Sequence, residues 1–190
     1  MSINIRKASL KDATGIGKVH VDSWRTTYKG LISDEFLAAL SYERRIQVWT
    51  ESLADPQNTG FVYVAETAPG EIVGFVSAGP GHEGEPANRG EVYAIYLLQQ
   101  AQGKGTGRKL METAIRELCQ RGFLSMLLWV LKDNFSSRKF YETLGGKILR
   151  EKPIEIGSQT FIEVAYEWKD LPCIMQGNEP PASARTKKNA

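Results

Sequence analysis

Glu91-Val92-Tyr93-Ala94-Ile95-Tyr96-Leu97-Leu98 is followed by Gln102-Gly103-Lys104-Gly105-Thr106-Gly107 and then Arg108-Lys109-Leu110-Met111-Glu112-Thr113-Ala114-Ile115. The first segment reads as a strand and the last as a helix. A glycine-rich turn between strand and helix presents bare backbone N–H groups at the positive end of the helix. Amides and dipole both favour an anion there, so the turn suits phosphate. Three glycines let the backbone approach a ligand without a Cβ in the way. Lys104, Arg108 and Lys109 add positive charge.

Spacing excludes two common phosphate motifs. No glycine precedes a Lys-Ser or Lys-Thr pair, as a P-loop requires. The dinucleotide fingerprint G-x-G-x-x-G fails at its third glycine, where Arg108 or Leu110 stands. The pattern present is Q/R-x-x-G-x-G/A, carried by Gln102, Gly105 and Gly107. A second segment, Asn134-Phe135-Ser136-Ser137-Arg138-Lys139-Phe140-Tyr141-Glu142-Thr143-Leu144-Gly145-Gly146, follows the apolar run Met126–Leu131. That run reads as a buried strand, Asn134 as a helix cap and Gly145 as a helix stop.

On these two segments the chain resembles the GNAT superfamily of acyl-CoA-dependent N-acetyltransferases. The second segment is similar to the family's N-x-x-(A/S)-x-x-(F/L)-Y-x-x-x-G-F, with Gly146 where the family usually has Phe. The ordering of elements matches from about Ile3 to Trp168, and the specific motifs occupy residues 91–146. The resemblance implies an α+β fold with a mixed, mostly antiparallel central sheet flanked by helices. Its fourth and fifth strands, here about 91–98 and 125–131, run parallel and splay at their C-terminal ends to admit pantetheine.

It also implies acetyl-CoA as co-substrate and assigns roles residue by residue. Backbone amides of Gly103, Lys104, Gly105, Thr106 and Gly107, with Gln102, would hold pyrophosphate. Backbone groups of Ile95 and Leu97 would pair with pantetheine as if it were another strand, and Asn134 would bond the same arm. Tyr141 would protonate the departing thiolate; a phenol of pKa about 10 suits a thiol of about 8–9. Glu91 is the candidate general base, commonly acting through water in this family. Counting by twos puts Glu91, Tyr93, Ile95 and Leu97 on one strand face. Trp24 and Tyr28 are candidate acceptor-site residues, as is the loop His82-Glu83-Gly84-Glu85. For each side chain the competing reading is structural: Tyr141 as a core aromatic, Asn134 as a helix cap alone, Glu91 as a solvated strand start, and Trp24 with Tyr28 as an i, i+4 packing pair.

The rest of the chain sets bounds. Its 190 residues, 42% hydrophobic and 24% charged, suit one globular domain. Residues 1–172 read as that domain and 173–190 as a polar tail, rich in chain breakers. The tail's Arg185, Lys187 and Lys188 against Glu179 account for the whole net charge of +2. The body, at zero, offers no general field for nucleic acid. No run of 18 apolar residues occurs, and Met1–Lys7 lacks an apolar signal core. Two cysteines, Cys119 and Cys173, make no disulfide framework, so a reducing cytoplasm is expected, with Cys119 an inert buried thiol. No metal-ligand spacing appears among His20, His82 and the cysteines.

Ile3–Arg6 alternates as a first strand, and Ser9 with Asp12 reads as a capping box opening a largely helical region to residue 54. Phe61–Glu66 and Ile72–Ala78 read as a hairpin, 79–90 as a loop, and 147–150 with 160–168 as a late hairpin. The function expected is transfer of an acetyl group to a primary amine of a small molecule, by direct attack in a ternary complex. The alternatives are a protein or peptide N-acetyltransferase and a non-catalytic acyl-CoA-binding module. The expectation includes no metal, no membrane or nucleic-acid partner, and room for a homodimer.

Overall fold

The computed structural model describes residues 3–68 and 70–171. The proposed tail, and Pro172 before it, lie outside the described residues. Strands are β1 (Ile3–Lys7), β2 (Phe61–Thr67), β3 (Ile72–Pro80), β4 (Arg89–Leu97), β5 (Ser125–Leu131), β6 (Lys147–Ile156) and β7 (Gln159–Trp168). Helices are α1 (Ala13–Thr27), α2 (Asp34–Ala38), α3 (Tyr42–Ala54), α4 (Thr106–Gln120) and α5 (Phe135–Thr143). The seven strands form one sheet in the order β1-β2-β3-β4-β5-β7-β6. Every neighbouring pair is antiparallel except β4 and β5, which run parallel. The expected α+β mixed sheet is therefore the fold.

Two cores cover the two sheet faces. On one, Leu110, Met111, Ala114 and Leu118 of α4 pack on Val76, Val92, Leu128 and Tyr166. These α4 positions are the apolar stripe read from the sequence. On the other, Ile16 and Val19 of α1 and Trp49 of α3 pack on Val62, Val64 and Phe75. Helices α1 and α3 approach closely because position 17 is glycine; a Cβ there would lie 2.6 Å from Ile46 Cγ1 and 2.9 Å from its backbone. Ser9 N–H donates to Asp12 Oδ2 at 2.7 Å where the chain enters α1. Arg6 joins β1 to that entry and to β2, bonding Asp12 and Glu66 at 2.8 Å each.

Strand limits exceed the sequence reading in two places. β3 and β4 run into the presumed 79–90 loop, because Pro80 pairs with Gly90 across the ladder. β6 runs to Ile156 because it pairs with β7 along nearly its whole length. One expectation is corrected. Cys119 is only half-buried, against the α4 core, and is not a free thiol. Cys173 lies outside the described residues, so the cysteines give no argument for a reducing compartment. Among the described residues no helix is long and apolar enough to cross a membrane.

Candidate active site

The site forms where β4 and β5 part. Their parallel pairing covers only Arg89–Val92 against Ser125–Leu128. Beyond that the strands diverge, and a cavity of about 650 Å³ opens between them. Its walls include Ile95 and Leu97 of β4, Trp129 and Val130 of β5, the glycine turn, and Asn134 and Tyr141 of α5.

Backbone direction at the end of β4 follows from one bond. Leu98 N–H donates to Val73 O at 2.9 Å, on the β3 side. Successive strand residues turn their polar groups to opposite sides. Leu97 and Ile95 therefore direct N–H and C=O away from β3, towards the widening gap. Leu97 O accepts from Gln102 Nε2 at 3.1 Å. The signature glutamine thus ties the turn to the strand end as well as lining the cavity.

Gly103 (φ 68°) and Gly105 (φ 80°) both sit in left-handed conformation, and Gly105 is the N-cap of α4. A Cβ at either would meet nothing within 4 Å. The turn is therefore open on its cavity side, and glycine is there for its backbone. Gly107 differs: a Cβ would lie 3.3 Å from Phe140 Cζ, so this glycine lets α4 meet α5. Gln102, Gly103, Gly105, Gly107 and Arg108 line the cavity. Lys104 and Thr106 do not; Lys104 is exposed on the outer side of the turn and Thr106 is buried in the first turn of α4.

Asn134 caps α5, its Oδ1 accepting from Ser137 N–H at 3.1 Å, and is 6% exposed at the cavity wall. The helix-cap reading is observed, and the side chain also stands at the cavity wall. Tyr141 is 7% exposed and reaches the cavity from inside α5. Burial, then the neighbouring Tyr96, raises its pKa well above the usual phenol value, so it holds its proton at all ordinary pH.

Glu91 is placed differently. β4 carries a bulge: Ser77 pairs with Ala94 and Ala78 with Val92, leaving Tyr93 as the extra residue. Counting by twos fails across it, and the shared face expected for Glu91, Tyr93, Ile95 and Leu97 is corrected. Val92, Ile95 and Leu97 face α4, while Ala94 and Tyr96 face α1 and α3. Glu91, paired with Gly79 next in register, lies on that second face. It is 5% exposed and sits outside the cavity wall. His82 holds it, its ring Nδ1 lying 2.7 Å and its backbone N–H 3.2 Å from Glu91 Oε2.

Of the acceptor candidates, Tyr28 lines the cavity and Trp24 does not. Trp24 stands behind Tyr28, edge to face at 4.8 Å between ring centres. Glu83 and Glu85 lie outside the wall, and Glu85 is paired with Arg89 at 2.9 Å and with Arg150. The sequence reading missed Thr26, Thr27 and Trp129. Thr26 and Thr27 share the C-terminal turn of α1 with Tyr28, which was the available signal. Trp129 sits in an apolar run that reads as plain core. Among the described residues no group of three or more His, Cys, Asp or Glu side chains is disposed to hold a metal.

Comparison with known proteins agrees with this fold. Residues 21–145 match the family model of the acetyltransferase (GNAT) family. The uncharacterized N-acetyltransferase YuaI of Bacillus subtilis is 37% identical over 169 residues, which cover 89% of this chain and 94% of that protein. A spermidine N(1)-acetyltransferase of Thermoplasma acidophilum is 27% identical over 169 residues, covering 88% and 99% of the two chains. The crystal structure of the PaiA N-acetyltransferase of Thermoplasma acidophilum in complex with coenzyme A superposes with a TM-score of 0.68 at 25% identity, covering 88% of this chain and 100% of that one. The chain belongs to the acetyltransferase (GNAT) family and is an acetyl-CoA-dependent N-acetyltransferase.

Proposed function

We propose that this enzyme moves the acetyl group of acetyl-CoA to a primary amine of a small molecule, the amine attacking directly within a ternary complex. The observation that carries the reading is one cavity shared by the open glycine turn, the unpaired side of β4 and the buried phenol of Tyr141. Acetyl-CoA fits these residues: the turn leaves room at Gly103 and Gly105 for a phosphate against backbone amides. It supplies an acyl thioester when bound.

The chain's own groups meet the demands of that chemistry. Gln102, Gly103, Gly105 and Gly107 hold the pyrophosphate, with Thr106 N–H in the first helical turn and Arg108 adding charge; Lys104 contributes only its field. Ile95 and Leu97 offer backbone groups along the diverging strand, and Leu97 N–H polarises the carbonyl. Asn134 adds its side-chain NH2. Tyr141, a phenol that holds its proton at neutral pH, delivers a proton to the leaving sulfur. Glu91 removes the amine proton through water, and His82, whose side chain is 74% exposed, links it to solvent. Tyr28 walls the acceptor side and Trp24 braces Tyr28. The name of the Thermoplasma spermidine N(1)-acetyltransferase supports a small-molecule amine.

The test is thiol release from acetyl-CoA across a panel of small amines and peptides, with mass spectrometry of the product. Small amines should be acetylated in preference to peptides. Coenzyme A binding without turnover on any amine would overturn the reading in favour of a binding module.

A further inference from the structure

We propose that the acceptor is a monoamine carried on an aromatic or apolar body rather than a polyamine; this deepens, and rests on, the transfer reading. The acceptor side of the cavity is walled by Thr26, Thr27, Tyr28, Tyr93, Tyr96 and Trp129. Among the described residues lining the whole cavity, Arg108 is the one ionised side chain and no carboxylate is present.

The carboxylates on the same sheet face are committed elsewhere. Cross-strand pairing sets Leu127, Trp129 and Leu131 of β5 beside Glu167, Ala165 and Glu163 of β7. Glu163 is paired with Lys152 at 3.3 Å, and Glu167 with Arg89 and Lys169 at 3.6 Å each. Glu91 lies outside the wall, hydrogen-bonded to His82, and Glu85 is paired with Arg89 and Arg150. Trp129 is itself taken up by cations: Lys152 Nζ lies 4.0 Å and Arg150 Cζ 5.4 Å from its ring centre.

A polyamine that makes one nitrogen neutral for attack keeps the others protonated. Each remaining ammonium must lose water and find an anion, or the cost of burying it stands. This wall itself supplies no anion, and the charges seated on Trp129 are positive. An apolar or aromatic body needs none: it gains by burying area against Tyr28, Tyr93, Tyr96 and Trp129. The threonine hydroxyls and phenols then suffice to orient one amine.

The test uses calorimetric binding of phenethylamine and of spermidine to the full-length chain saturated with coenzyme A. Phenethylamine should bind at least about tenfold tighter than spermidine, a difference of about 1.4 kcal/mol. Trp129→Leu should weaken phenethylamine at least about fivefold while leaving coenzyme A affinity unchanged; Trp129→Phe, which keeps an aromatic ring, should show the smaller loss and serves if the leucine variant does not fold. Thr26→Glu, adding a carboxylate at an exposed wall position, should narrow the ratio by improving spermidine. Spermidine binding as tightly as phenethylamine to the wild type, or neither amine binding, would overturn the proposal. Phenethylamine that binds but receives no acetyl group would leave the acceptor class standing and overturn the transfer reading instead.

Discussion

Tyr141 is where one side chain answers the central question of chemistry against packing. It touches Phe140 and Tyr166 as a core residue would, with ring centres 5.5 and 6.1 Å away, yet it also lines the cavity. Tyr141→Phe keeps the ring contacts and removes the proton. We expect kcat to fall by about 10²–10⁴-fold, with melting temperature and acetyl-CoA binding near wild type. Full turnover would remove the phenol from the mechanism. Gly105→Asp places a Cβ and a negative charge into the open side of the turn. Coenzyme A affinity should drop at least about tenfold by calorimetry. Because φ is 80° there, the variant should also lose about 1 kcal/mol of stability in urea unfolding. Gly146, the departure from the family pattern, has a local reason: a Cβ would lie 2.7 Å from Trp168 Cζ2. The indole of Trp168, anchored by Nε1 donating to Leu144 O at 2.8 Å, fills the space a larger residue would need.

Among elements, β4 and the turn after it set the site. The strand's first four residues pair with β5 and its last five diverge. Gln102 fastens the diverging end. Gln102→Ala should raise the KM for acetyl-CoA several-fold in steady-state assays and shift the melting temperature by under about 2 °C, since the residue is exposed. An unchanged KM would reduce Gln102 to a bystander. The motif helices were legible because spacing alone defines them: the stripe of α4 is a 3.6-residue pattern, and the cap at Asn134 is local chemistry. The face of Glu91 was not legible. A bulge inserts one residue in β4 without any glycine or proline to announce it, and it reverses every face beyond.

At the scale of the molecule, the two cores differ in what they ask of pH. His20 lies in the α1–α3 core, its Nδ1 accepting from Trp49 Nε1 at 3.1 Å and its ring 4.9 Å from that of Tyr96. Burial, then nearby Arg45, lowers its pKa from 6.5 to about 3. The folded chain thus keeps His20 neutral where the unfolded chain charges it. Its contribution is complete above pH 6.5 and is lost progressively as pH falls towards 3. Between about pH 6 and pH 4 this single group should give a slope approaching about 1.4 kcal/mol per pH unit. His20→Gln, which retains an acceptor for Trp49, should flatten the stability curve between pH 6 and 4.5 by about that slope, measured by urea unfolding. Parallel curves for the two proteins would show that His20 takes up its proton alike in the folded and unfolded chain.

The sequence by itself determined the order of elements, the glycine turn, the two motif helices and hence the family. These are properties of near neighbours in the chain: glycine freedom, helical periodicity and caps act within a few residues. Only the tertiary structure decided who faces the cavity. It set Lys104 and Thr106 outside the wall and Trp24 behind Tyr28, moved Glu91 to the other sheet face, and brought Thr26, Thr27, Tyr96 and Trp129 together from α1, β4 and β5. Such a wall is built by residues about a hundred positions apart. Their meeting depends on where two parallel strands stop pairing and on one inserted residue, and neither leaves a periodic signal in the chain.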